Sequence, residues 1–353
     1  MNYKMMGRFI AQILLLEAIF MVPATFISLY CEEYRAVFAF LGTMTLLVAI
    51  SGVLWFFCKA AKSNFYATDG MVCVALSWLI LSLAGSLPFL LSGAIPQFID
   101  ALFEIVSGFT TTGASILPAV EGLPKGILYW RSFSHWVGGM GVLVFLLAIV
   151  PSTDQGKGFT MHLLRAESPG PSVGKLVPKM RKTAAILYFL YIILTIADIC
   201  FLLFGGMPAF EAVCNAFGTA GTGGFGVRND SFASYSPYLQ NVTTVFMFLF
   251  GVNFSCYYLL MLRQWGAVFK DEELRAYFGI ALGSALLITW NVRGLYGSLG
   301  ETFRHAAFQV SSIMTTTGFA TTDFDLWPSF SKTILLCLMV VGASAGSTGG
   351  GIK

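Results

Sequence analysis

Three times in the chain a glycine closes a short segment rich in threonine or glycine, with an alanine twelve positions before it: Ala101 to Gly113, Ala212 to Gly224 and Ala306 to Gly318. The segments are Phe109-Thr110-Thr111-Thr112-Gly113, Ala220-Gly221-Thr222-Gly223-Gly224 and Met314-Thr315-Thr316-Thr317-Gly318. A bilayer is crossed by about 20 apolar residues rising 1.5 Å each. That length places spans near 8–30, 36–58, 70–92, 130–150, 183–205, 242–262 and 274–292, with a shorter apolar run at 331–341. The pieces 97–109, 208–220 and 302–314, which lead into the three loops, are too short to cross. They suit re-entrant helices that stay buried against protein. The expected fold class is an all-α polytopic membrane protein of repeated helix–pore loop–helix units, three of them in this chain.

Composition agrees. With 56% hydrophobic and 11% charged residues, the chain carries too much apolar surface for a soluble domain, which excludes soluble enzyme folds. A net charge of +3 without a basic patch speaks against nucleic-acid binding. The seven cysteines lie mostly in or beside apolar runs and show no CxxC spacing, so they read as small apolar fillers.

Lysine and arginine set the orientation. With the N-terminus inside, two thirds of the 21 basic residues fall on the cytoplasmic face, and all three loops enter from outside. The expected organisation is an N-terminal accessory hairpin (1–60), a first pore repeat (66–150), a cytoplasmic linker (151–182), a second repeat (183–266) and an incomplete third (272–353), in one membrane domain.

A cation stripped of water in a membrane needs oxygen ligands, and rings of backbone carbonyls supply them where the backbone is extended and approachable. Thr110, Thr111, Thr112 and Gly113, then Gly221, Thr222, Gly223 and Gly224, then Thr315, Thr316, Thr317 and Gly318 meet that need. Each preceding short helix would aim its negative C-terminal dipole at the path, which selects cations. Asp100, Glu104, Glu211, Glu301, Asp323 and Asp325 near the loops read as solvated charges or helix caps that also attract cations. Arg131 reads as an interfacial anchor beside Trp130, with a filter-supporting salt bridge as the alternative. Asp198 is placed to reach the outer interface, His135 and His305 read as hydrogen-bonded histidines, and Asn253 as an interhelical hydrogen bonder inside its span.

These motifs resemble the Trk/Ktr/HKT superfamily of potassium transporters, most closely its bacterial TrkH branch. The matching residues run Phe109 to Ser115, Trp130-Arg131-Ser132, Trp136 to Gly141, Gly223-Gly224-Phe225, Thr315 to Thr321 and Gly342 to Gly351. The resemblance implies four such repeats around one K⁺ path with a filter glycine in each, here Gly113, Gly224 and Gly318, with Gly223 as a neighbouring candidate. It also implies uptake through the cytoplasmic (inner) membrane, K⁺ as the only ion at the filter, no cofactor, a homodimer, and a cytosolic nucleotide-binding (TrkA-like) regulatory subunit.

Residues 331–341 rise only about 17 Å, so a helix break is expected where the sequence turns glycine-rich. By the resemblance, Gly346, Ser347, Thr348, Gly349, Gly350 and Gly351 form an intramembrane gate below the filter. A phosphate-binding loop is disfavoured, because Ile352 separates Gly351 from Lys353 and no strand precedes. Three repeats against a family's four lead to the expectation of a fragment of a longer transporter. Two other readings are a secondary transporter of another solute, which the parallel direction of the loops opposes, and a non-transporting assembly subunit. The residues leave open whether transport is passive or a symport with H⁺ or Na⁺.

Overall fold

The structure, a computed structural model, describes residues 3–58, 67–139, 141 and 180–352. The linker expected at 151–182 lies outside these residues up to position 179, as does most of the second half of the span expected at 130–150. The described residues are helical with connecting turns and contain no strand. The chain forms two compact units. One comprises Met1–Phe109, Ala114–Ser134 and Gly141–Ala185, the other Thr110–Gly113, His135–Met140 and Ile186–Lys353.

In the first unit, α1 (Tyr3–Tyr30) and α2 (Tyr34–Phe57) form a hairpin. Small residues, Ala11, Ala18 and Ala24 on one helix and Ala36 and Ala39 on the other, are buried and let the backbones approach. Ser51 Oγ donates to the Ala11 carbonyl at 2.8 Å. Ile19, Phe26, Phe38, Val53 and Phe56 stay exposed, as lipid-facing positions should. Beyond them lie α3 (Ala67–Ser92), the short α4 (Phe98–Phe109) and α5 (Lys125–Gly139). The start of α5 is capped from a distance: Lys125 N and Gly126 N donate to Glu33 at 2.6 and 3.1 Å, which places a carboxylate at a helix N-terminus.

The second unit runs through α6 (Met180–Phe204), α7 (Ala209–Ala220), α8 (Pro237–Phe250), α9 (Phe254–Met261), α10 (Trp265–Lys270), α11 (Glu272–Val292), α12 (Leu299–Met314) and α13 (Ser329–Val341). The expected short pieces appear as α4, α7 and α12. Capping residues explain where several helices begin. Ser298 accepts from Glu301 N at 3.2 Å and Asp271 from Leu274 N at 2.7 Å. So Ser298, and not Glu301, caps α12.

Among the described residues, four helices are long and apolar enough to cross a membrane: Tyr3–Tyr30, Tyr34–Phe57, Asp69–Ser92 and Ala185–Phe204. The span expected at 242–262 is not one helix. It is split into α8 and α9, bent by 89° at Gly251–Asn253. Asn253 does not bridge helices from mid-span; it is the N-cap of α9, accepting from Ser255 N at 2.9 Å. A break at this depth exposes carbonyls, and each of the last four in α8 finds a donor. Met247 O accepts from Gly251 N (3.1 Å), Phe248 O from Tyr277 Oη (3.0 Å), Leu249 O from Tyr257 Oη (2.7 Å) and Phe250 O from Thr348 Oγ1 (3.1 Å).

Candidate functional site

The three Thr/Gly loops share one backbone course. Thr111, Thr222 and Thr316 have φ of 55°, 53° and 59°, and Gly113, Gly224 and Gly318 have φ of 74°, 76° and 88°. This fixes the register of the second loop, where Gly224 and not Gly223 matches the other two glycines. A β-branched residue at positive φ is strained by about 1–3 kcal/mol, so something must hold it there. In the second and third loops a helix-terminating motif does. Thr222 N donates to Thr219 O (3.1 Å) and Gly223 N to Gly218 O (3.0 Å); Thr316 N donates to Ile313 O (3.1 Å) and Thr317 N to Ser312 O (2.9 Å). This is the paired bonding that usually ends a helix on glycine, here built on threonine.

The loops approach one another closely. A Cβ on Gly113 would stand 1.9 Å from Gly223 O, and one on Gly224 would stand 2.0 Å from Thr317 O. Each glycine thus faces the carbonyl of the third residue of the next loop, and only glycine leaves room. At Gly318 a Cβ would meet nothing within 4 Å. Hydroxyl pairs stiffen two of the loops: Thr110 with Thr112 at 2.8 Å and Thr315 with Thr317 at 2.7 Å. In the second loop glycines stand at both positions.

The glycine-rich C-terminal stretch lies against these loops. Helix α13 stops at Val341, and Gly342 turns the chain with φ 71° and ψ −164°. Ala343 N donates to Gly350 O at 3.0 Å and Ile352 N to Val340 O at 3.2 Å, closing the stretch on itself. Gly342 and Gly351 must both be small, because a Cβ on either would be 2.4 Å from the other's Cα. Above it, Thr222 Oγ1 donates to Thr348 O (2.9 Å) and Gly350 N donates to Thr316 Oγ1 (2.8 Å). Beside it, Phe254 N donates to Gly346 O (3.1 Å), Ser344 N donates to Gly251 O (3.0 Å), and Ala345 N donates to Glu273. The structure therefore brings Thr348 and Gly350 to two of the three loops, and seats the stretch in the α8–α9 break.

The segments that leave the loops are tied back to the short helices. Glu104 is fully buried and is neither a solvated charge nor a cap. Its Oε1 is 2.5 Å from Arg131 Nε, it accepts from Ser115 Oγ (2.9 Å), and Ile116 N donates to its Oε2 (3.0 Å). Arg131, 4% exposed, is accordingly an ion-pair partner and not an interfacial anchor. After the second loop, Arg228 pairs with Glu211 at 3.1 Å and lies 4.2 Å over the Tyr235 ring, whose hydroxyl donates to Glu211 at 2.5 Å. Burial, then that hydrogen bond, pushes the Tyr235 phenol above its ordinary pKa, so it stays a donor. After the third loop, His305 Nδ1 and Thr321 Oγ1 share a 2.9 Å bond, and Ser312 Oγ donates to Phe319 O at 2.5 Å. Asp323 and Asp325 are exposed and Asp100 and Glu301 half-buried.

Three placements were not readable from the sequence. Asp198 is not exposed at a surface: it is fully buried. Glu104 finds Arg131 from 27 positions away. His135 packs directly behind the second loop, with Nδ1 3.3 Å from Phe225 N. For Glu104 the available signals were a carboxylate mid-way along an apolar helix, which is costly unless paired, and the salt bridge that was the alternative reading of Arg131.

Comparison with known proteins adds a family. The family described as TrkH, a cation transport protein, matches residues 36–290 and 295–353. The Trk system potassium uptake protein TrkH of Salmonella typhimurium is 35% identical over 360 residues, covering 100% of this chain and 74% of the relative. The Trk system potassium uptake protein TrkG of Escherichia coli K12 is 34% identical over 345 residues, covering 96% of this chain and 70% of the relative. Among solved structures, the crystal structure of the potassium transporter TrkH from Vibrio parahaemolyticus superposes with a TM-score of 0.84 at 32% identity, covering 100% of this chain and 73% of that one.

Proposed function

Because the chain belongs to the TrkH family of cation transport proteins, and so to membrane transporters and not to enzymes, we propose that it carries K⁺ inward across the cytoplasmic membrane. The relatives named as potassium uptake proteins supply the ion. The observation that carries the path is the shared backbone of the three loops, with the second-position threonine and the closing glycine of each at positive φ. In the second and third loops, N–H groups are tied back to the short helices, which leaves loop carbonyls as the groups to replace an ion's water. Thr110–Gly113, Gly221–Gly224 and Thr315–Gly318 are the filter in this reading. The stretch Gly346–Gly351 is the gate: it lies against two filter loops and is bonded to them through Thr348 and Gly350.

The distribution of lysine and arginine supports a multi-pass protein with a cytoplasmic N-terminus. A homodimer bound to a cytosolic nucleotide-binding subunit completes the proposal on family grounds. The test is ⁸⁶Rb⁺ uptake by the product of the complete reading frame in a host lacking its own K⁺ uptake systems. Gly113→Asp and Gly318→Asp, which place a side chain and a charge in the filter, are expected to abolish uptake with the protein still present in the membrane. Unchanged uptake in both would overturn the filter assignment.

A further inference from the structure

The second loop departs from its two companions in a single respect. Where they read Thr-Thr-Thr-Gly, it reads Gly-Thr-Gly-Gly, and so lacks the hydroxyl pair that stiffens the others. Yet its backbone is the same. Something else must brace it.

His135, on the last turns of α5, stands in that place and is fully buried. A Cβ on Gly223 would lie 2.5 Å from the ring atoms Cε1 and Nδ1, and one on Gly221 would lie 2.2 Å from the His135 carbonyl oxygen. The ring stacks on Phe225, with centroids 4.0 Å apart and planes inclined by 22°. Phe225 N donates to Nδ1 at 3.3 Å. A backbone N–H can only donate, so Nδ1 carries a lone pair and the bond fixes the ring's orientation. The residue held is the first after the filter glycine.

We propose that His135 replaces, for the second loop, the paired threonine hydroxyls of the first and third, and that its ring and carbonyl are the reason positions 221 and 223 are glycine. His135 is then a positioning residue of the ion path: it touches no ion, but it sets where the second loop's carbonyls stand. The inference rests on the filter reading above.

Substitutions at positions 135, 223 and 221 test it, each followed by ⁸⁶Rb⁺ uptake and by the ratio of K⁺ to Na⁺ uptake in the product of the complete reading frame, normalised to protein in the membrane. His135→Leu keeps bulk and removes the acceptor; the K⁺:Na⁺ ratio is expected to fall about five- to tenfold, the worth of one hydrogen bond. His135→Asn returns an acceptor near the place of Nδ1, and is expected to recover more than half of that loss. Gly223→Ala is expected to cut uptake at least about tenfold beside His135, because overpacking a rigid site is costly. In a His135→Ala background the same change should cost less than about threefold. Gly221→Ala provides the internal control. Its obstacle is the backbone carbonyl, so no substitution at 135 should relieve it.

Equal ratios for the Leu and Asn variants, or the same Gly223→Ala defect in both backgrounds, would overturn the role of His135 while leaving the filter reading intact. Failure of the filter reading shows separately, as undiminished uptake in Gly113→Asp and Gly318→Asp.

Discussion

Glu104 and Arg131 are two charges held where water does not reach, and the pair is worth more as a constraint than as an attraction. Taking both from water offsets most of their mutual energy, whereas removing one strands the other at a cost of about 3–5 kcal/mol. Arg131→Ala or Glu104→Ala alone should therefore lower the apparent melting temperature in detergent sharply. Glu104→Leu with Arg131→Met should be much milder than either single change. A double variant as unstable as both singles combined would argue against the pair acting as a unit. The three threonine- and glycine-rich loops were legible at this scale because their pattern is local and repeats in one register. The partners of Glu104 and His135 were not, since both are brought together by the fold across long stretches of sequence.

Among the elements, the broken helix α8–α9 is the clearest difference between sequence and structure. An apolar run at 242–262 satisfies the length rule for a span, and only Gly251 and Asn253 hinted at a stop. The break persists because the carbonyls it frees are taken up by Tyr277, Tyr257 and Thr348, three residues that lie outside α8. Tyr277→Phe removes the donor to Phe248 O and should cost about 1–3 kcal/mol of stability, as for any buried polar group left unpaired. Thermal unfolding in detergent measures it, and a change within about 0.5 kcal/mol would mean that Phe248 O had found another donor. The stop after Val341, by contrast, was readable, because a short apolar run followed by glycines can continue neither as helix nor in lipid. Under the proposed gate reading, Thr316→Val removes the acceptor for Gly350 N. Loosened from the filter, the stretch should admit ions more often, and ⁸⁶Rb⁺ uptake should rise a few-fold; a fall would mean that Thr316 serves the filter alone.

For the molecule as a whole, the loops follow one rule of succession: the glycine of one meets the carbonyl of the next. Gly113→Ala and Gly224→Ala must push a neighbouring backbone aside, while Gly318→Ala in this chain meets only the strain of a left-handed backbone, about 1–2 kcal/mol. Melting temperatures of the 353-residue chain in detergent should fall further for the first two. Equal losses at all three would remove the succession. The repeat count and the fold class were evident from hydropathy and spacing, but the succession was not, because it joins residues that no periodicity relates.

The same succession bears on how the protein is made. Gly113 packs on Gly223, roughly a hundred residues further along the chain. At a synthesis rate of about 5–20 residues per second, the first loop leaves the ribosome some 5–20 s before its neighbour exists. Its threonine held at positive φ has no second loop to lean on during that time. The first pore repeat is therefore made before the neighbour of its most demanding turn exists.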